Sequence, residues 1–183
     1  MPAFMIRMGS ACVLEQFNNG VSIEQLEILS IVSLKVSRTS SDVAQERLAT
    51  ASEPKCLWHG PDRCLLVSDS ITADSLVNKC QETLADILHH AVDNSAGLAL
   101  FRLVGPGVRD LLAAGCGLDF RAGRFSVGTC CRTRLAQIAA VISAEGPEQF
   151  DVYVDRSYEE YLGAWLSDSL SIAAAVADQS PRL

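Results

Sequence analysis

Two stretches of this chain follow the same grammar, and that recurrence limits the fold more than any other feature. Trp58-His59-Gly60-Pro61-Asp62-Arg63-Cys64-Leu65-Leu66-Val67 leads into an amphipathic helix, and so does Ala144-Glu145-Gly146-Pro147-Glu148-Gln149-Phe150-Asp151-Val152-Tyr153. Each reads as strand, Gly-Pro turn, strand, helix, and each is preceded by an apolar strand and a short helix. Gly-Pro alone is a common turn dipeptide. The matching order of elements carries more weight, and predicts two related β-α-β-β-α units of an α+β protein.

The first unit is expected over residues 26–93 and the second over 97–170, within one domain spanning 21–170. Ile28 to Val36 is rich in β-branched residues and reads as a strand. Ser40-Ser41-Asp42 offers N-cap oxygens to a short helix through Leu48. Lys55–His59 and Arg63–Ser68 are strands around the first Gly-Pro. Thr72 or Asp74 starts a helix whose apolar positions Leu76, Val77, Cys80, Leu84, Ile87 and Leu88 recur at helical spacing. In the second unit Leu98 to Val104 is a buried strand, and Gly105-Pro106-Gly107 turns it into a helix ending near Ala114, with Gly115 as its C-cap. Gly117 to Val127 is a loop. Thr129–Ala136, Ala139–Ala144 and Phe150–Val154 are strands. Asp155 or Ser157 caps a last helix with Tyr158, Tyr161, Leu162, Trp165 and Leu166 on one face. Residues 1–20 show no period and are expected as an N-terminal arm, either docked on a partner or a loose, disordered terminus; 171–183 are a C-terminal tail that extends the last helix, frays or docks.

Composition excludes several classes of function. A net charge of -7 with 15 scattered basic residues argues against nucleic acid, whose phosphates need clustered cations. No apolar run approaches the roughly 20 residues that span a bilayer, and the first residues lack the h-region of a signal peptide. Seven cysteines, an odd number with no C-x-x-C pair, point to small buried thiols in a reducing cytoplasm rather than a disulfide framework. With only three histidines no zinc spacing appears.

Each chemistry-bearing group has a structural reading. His89-His90 are expected at the C-terminal end of an amphipathic helix, facing its negative dipole. His59 flanks a turn and is expected to be solvated. Cys130 and Cys131 should point to opposite faces of a strand; Arg132 beside them could lower a thiol pKa, but packing is the expected role. Gly105-Pro106-Gly107 is a weak dinucleotide signal, lacking the third glycine and the later acid. Asp93-Asn94-Ser95 forms an Asx-type turn, and Asp119 and Glu148 carry no assignable role. No catalytic, cofactor-binding or metal-binding residue is therefore assigned.

The segments Trp58/Gly60/Pro61, Gly105 to Leu112, Gly115 to Asp119, Phe125/Gly128/Cys130 and Arg156/Ser157/Trp165 occur in an order that resembles the gamma subunit of heterotetrameric sarcosine oxidase, over residues 55–170. Phe120 and Ser126 depart from its pattern, which leaves room for a paralogous amine-oxidising complex. The resemblance implies the fold of the folate-binding part of glycine-cleavage aminomethyltransferase. It implies an accessory subunit without its own active site, partnered by alpha, beta and delta subunits. Those partners would carry FAD, FMN, NAD, tetrahydrofolate and zinc, and would oxidise sarcosine or another N-methyl or secondary amine with one-carbon transfer to tetrahydrofolate. Trp58, Phe125, Tyr158, Tyr161 and Trp165 are then candidate interface anchors. The alternatives are a stand-alone folate-binding protein of the same fold and a small-molecule regulatory module.

Overall fold

A computed structural model describes residues 6–8, 11–16, 20–26, 30–49 and 54–178. Two compact units emerge: Ile28–Leu98, and Met1–Glu27 together with Ala99–Leu183.

The chain begins in the second of these with β1 (Ile6–Met8), β2 (Ala11–Gln16) and β3 (Ser22–Leu26). The first two strands lie where the sequence shows no period. It then builds the Ile28–Leu98 unit from β4 (Ser30–Val36), α1 (Ser41–Leu48), β5 (Lys55–Gly60), β6 (Arg63–Ser68), α2 (Ala73–Thr83) and β7 (His89–Asp93). The four strands form one antiparallel sheet in the order β5-β6-β4-β7. Val32, Leu34 and Val36 alternate onto one face of the sheet, as a period of two requires. They pack with Cys64, Leu66, Ala44, Leu48, Leu76, Cys80 and Leu84 into a closed core.

Two sequence expectations change in this unit. Ser40 makes no side-chain cap bond, because a 3-10 turn at Arg38–Ser40 feeds straight into α1; Thr72, by contrast, caps α2 by accepting from the Ser75 amide at 3.4 Å. The second concerns α2, which stops at Thr83, so His89 and His90 lie in β7 instead of at a helix end. The apolar spacing through Leu88 is helical, but the Ile87 amide closes a turn on the Leu84 carbonyl at 2.9 Å. The free edge of β4 then captures the chain, pairing Val36 with His89 and Leu34 with Ala91. Tertiary pairing overrides local period there.

The remaining elements are β8 (Leu98–Val104), α3 (Val108–Gly115), β9 (Cys130–Leu135), β10 (Ile138–Gly146), β11 (Gln149–Asp155) and α4 (Glu159–Asp178). With the first three strands, β8, β9, β10 and β11 form a seven-stranded sheet ordered β1-β2-β3-β8-β11-β10-β9. Within it, β3-β8-β11-β10 has the neighbour order of β7-β4-β6-β5 in the other unit, with β3 in the position of the fourth strand. Ile23, Phe101, Leu103, Ile142, Phe150 and Val152 meet Leu111, Leu112, Leu162, Leu166 and Leu170 from the two helices in the second core.

Gly105 takes a φ of +133°, and a Cβ there would lie 1.9 Å from the Gly20 carbonyl oxygen. Only glycine meets both demands. Gly115 differs from its sequence reading. It is the last residue of α3 and Cys116 is the C-cap, so its role is close approach to Trp165 rather than a left-handed cap. The β9–β10 hairpin turns on Ala136 and Gln137, with φ of +49° and +70°. These are the angles of a two-residue hairpin turn, reached without the usual Asn-Gly.

Candidate functional site

The strand-to-helix turn that could have cradled a phosphate is occupied by its own backbone. The Gly105 amide donates to the Glu148 carbonyl at 2.8 Å, and the Val108 amide donates back to Gly105 at 3.1 Å. In the first turn of α3, Arg109 gathers a longer stretch of chain. Its guanidinium donates to the Pro147 carbonyl at 3.0 Å, to the Phe125 carbonyl at 3.0 Å and to the Phe120 carbonyl, and stands 4.9 Å over the Phe150 ring. Phe120, Phe125 and Phe150 form a ring cluster with centroids 5.2 to 6.2 Å apart. The loop after α3 is thereby tied to the second Gly-Pro hairpin.

Of the weighed acids and imidazoles, Asp93, Asp119 and His89 are engaged locally. Asp93 accepts from the Ser95 amide at 2.9 Å and hydroxyl at 2.6 Å, the Asx-type turn the sequence suggests. That hydroxyl bond holds its carboxyl below the usual range. Asp119 pairs with Arg121, which lowers its pKa to about 2. His89 holds its Nδ1 2.8 Å from the Ile87 carbonyl, so that nitrogen carries the proton as donor; His90 is exposed. His59 is half-buried in β5, not freely solvated. Cys130 and Cys131 do alternate along β9. Cys131 packs against the core and burial pushes its thiol up to about 11, so Arg132 does not activate it. Among the described residues no three His, Cys, Asp or Glu are grouped to hold a metal.

Sequence reasoning missed a charged pair whose carboxylate is buried inside a sheet. Arg102 on β8 donates to both carboxylate oxygens of Asp151 on β11, at 2.8 and 2.9 Å. Asp151 is 2% exposed, beside the buried Ser143 and Tyr153. Burial keeps the Tyr153 hydroxyl protonated well above its ordinary range. A lone Arg in one apolar strand and a lone Asp in another is the pattern that could have revealed it.

The candidate anchors separate by environment. Phe125 is core. Trp58 and Trp165 are half-buried against their cores. Tyr158 and Tyr161 are 45% and 48% exposed at the start of α4, and the Tyr161 hydroxyl donates to the Ala136 carbonyl at 2.9 Å. Val127 and Leu118 are also exposed in this unit, as are Leu88, Val43 and Val92 in the other. No described helix is long and apolar enough to cross a membrane.

A model of the sarcosine oxidase, gamma subunit family matches residues 37–172. Sarcosine oxidase subunit gamma of Corynebacterium sp. (strain U-96) is 29% identical over 115 residues. The match covers 63% of this chain and 55% of that relative, so the chain spans about half the length of the curated relative. Among solved structures, a chain of the heterotetrameric sarcosine oxidase from Corynebacterium sp. U-96, in complex with pyrrole 2-carboxylate, superposes with a TM-score of 0.74 at 21% identity. The overlap covers 90% of this chain and 88% of that one. Glycine cleavage system aminomethyltransferase T from Bartonella henselae superposes with a TM-score of 0.59 at 10% identity, over 90% of this chain and 53% of that one. These two structures establish the shared fold.

Proposed function

The chain belongs to the sarcosine oxidase gamma subunit family, and we propose that it is the accessory subunit of a heterotetrameric sarcosine-oxidase-like complex. Its partners are alpha, beta and delta subunits. They carry the FAD, FMN, NAD, tetrahydrofolate and zinc sites, and the complex oxidises sarcosine or a related N-methyl or secondary amine, passing the one-carbon unit to tetrahydrofolate. The observation that carries this reading is the extent of the family match, residues 37–172.

The role is physical. A rigid scaffold that binds only the folded form of a larger subunit stabilises it by mass action. Tyr158 and Tyr161 supply large amphipathic side chains at the surface, of the kind that dominate interface energetics. The complex works in the reducing cytoplasm, where thiols such as Cys80 and Cys116 stay reduced.

Co-expression with the large subunits tests it. A tagged chain should capture a yellow flavoprotein complex, and the same chain expressed alone should be colourless and inactive. Turnover of an amine or a folate derivative by the partner-free chain, or its saturable binding of tetrahydrofolate, would overturn the reading.

A further inference from the structure

Residues 116–137 carry a charge opposite to that of the whole chain. They hold four arginines, Arg121, Arg124, Arg132 and Arg134, against a single acid, Asp119, in a protein of net charge -7. All four arginines are exposed. The stretch comprises the loop after α3 and then β9, the last strand of the seven-stranded sheet.

The free edge of β9 has a defined geometry. β9 joins β10 through the turn at Ala136-Gln137, with Leu135 opposite Ile138. Leu135, Thr133 and Cys131 therefore bond to β10, in step with Thr129, whose carbonyl accepts the Ala144 amide at 3.0 Å. The alternate residues Cys130, Arg132 and Arg134 turn their amides and carbonyls outward. At the hairpin end the Ala136 amide donates to the Gly115 carbonyl at 3.0 Å. Between Cys130 and Arg134 no strand among the described residues covers the edge. Side chains sort in the same way. Leu135 and Cys131 pack on the core face, while Arg132 and Arg134 stand exposed on the other.

The preceding loop is tied to this hairpin near both of its ends. Cys116 Sγ lies 3.4 Å from Thr133 Oγ1, and the Gly128 amide donates to the Ala144 carbonyl at 2.8 Å. Between these points Phe120 and Phe125 are buried, and Arg109 holds the carbonyls of both. The Arg124 and Phe125 amides close a turn on the Arg121 carbonyl at 2.8 and 2.9 Å. Leu118, Arg121, Arg124 and Val127 remain exposed, two apolar side chains and two cations. Groups fixed in place beforehand lose little entropy on binding.

We propose that the β9 edge, with this loop beside it, docks an extended acidic segment of a larger partner subunit as an added strand. For the identity of that partner the inference rests on the accessory-subunit reading. Backbone bonds to Arg132 and Arg134 supply affinity, and carboxylates at alternate positions of the segment meet their guanidinium groups. Arg121 and Arg124 take acids further along it. Charge selects this occupant. A second copy paired through its own β9 sets Arg132 opposite Arg132 or Arg134, and like charges directly opposite repel. An acidic strand turns the same contact into attraction. Arg134 also donates to the Gln137 carbonyl of its own turn, at 2.7 and 3.2 Å, so Arg124 and Arg132 are the positions to vary.

The test uses the full chain in two arms. In the first, the chain alone is titrated with a synthetic peptide of alternating glutamate and valine. The amides of Cys130, Arg132 and Arg134 should then exchange hydrogen severalfold more slowly, and a lysine–valine peptide should leave them unchanged. In the second, the chain is captured with co-expressed large subunits. The same amides should be protected, and Arg124→Glu/Arg132→Glu should lower capture about tenfold. Arg132→Pro should lower it further than Arg132→Thr, because only proline also deletes an outward amide, a loss that an edge strand tolerates. Captured subunits with the edge amides exchanging as in the free chain would overturn the proposal and leave the accessory role standing. Protection by the glutamate peptide without capture of flavoprotein subunits supports the acidic-strand surface and rejects the accessory reading. Equal protection by the lysine–valine peptide, by an oligoribonucleotide or by a second copy of the chain sinks the proposal.

Discussion

The last residue of α3 and the indole of α4 share one space: a Cβ on Gly115 would lie 2.4 Å from Cη2 and 2.5 Å from Cζ2 of Trp165. The Gly115 carbonyl also accepts the Ala136 amide at 3.0 Å. Helix end, hairpin turn and tryptophan are therefore one contact. Gly→Ala in a helix ordinarily gains about 1 kcal/mol. Here Gly115→Ala should cost about 2–3 kcal/mol, because a packed core resists an added methyl. Trp165→Phe in the same chain should recover part of that loss. Urea midpoints of the single and double variants check both statements.

Arg109 fastens three carbonyls and a ring with one planar cation. Arg109→Lys keeps the charge but loses the fork, and should cost about 2 kcal/mol. Hydrogen exchange should then quicken in residues 117–129 before anywhere else in that unit. Unchanged protection of the loop would refute the fastening role.

The hairpin at Ala136-Gln137 spends two residues with side chains on left-handed backbone angles. Gln137→Gly should raise stability by about 1 kcal/mol, since glycine adopts those angles without the Cβ penalty. Thermal unfolding reads this as a higher Tm.

Arg102 and Asp151 test the value of a charged pair inside a sheet. Asp151→Ala strands a cation that is only one-third exposed and should cost about 3 kcal/mol. The double variant Arg102→Met/Asp151→Leu should lie much closer to the parent, because it leaves no unpaired charge. A denaturant double-mutant cycle gives the coupling directly.

Acid should weaken the fold in a defined window. Bonds from Arg47 and Arg121 lower Asp86 and Asp119 to about 2, and the hydroxyls of Ser95 and Ser157 lower Asp93 and Asp155. A carboxyl with a depressed folded pKa favours the folded state above its unfolded value, and that advantage disappears as pH falls through the folded value. These carboxylates should contribute evenly from neutrality down to about pH 5, then lose their contribution between about pH 4 and about pH 2. All four are at the surface, so the effect is shallow and shrinks with added salt. Asp119→Asn should flatten the acid slope measured by urea unfolding.

Much of the architecture was legible along the chain. The strands at Ser30–Val36, Arg63–Ser68, Leu98–Val104 and Gln149–Asp155 and the helix at Ala73 are written in local apolar period and turn chemistry. β7 was not legible, because His89-His90-Ala91-Val92-Asp93 has little strand propensity and is a strand only by pairing with β4. Nor was the sorting of the aromatics. Phe125 and Tyr161 read alike in sequence, yet one fills a core and the other stands half in water.

By itself the sequence determined which segments could bury an apolar face, where the chain must turn, and, through the order of its motifs, the family to which it belongs. Tertiary structure alone decided that Gly115 yields its space to an indole and that Arg102 finds Asp151. The first set depends on neighbours a few residues apart, whose spacing the backbone period dictates. The second depends on residues 49 and 50 positions apart that meet only when strands register and helices dock.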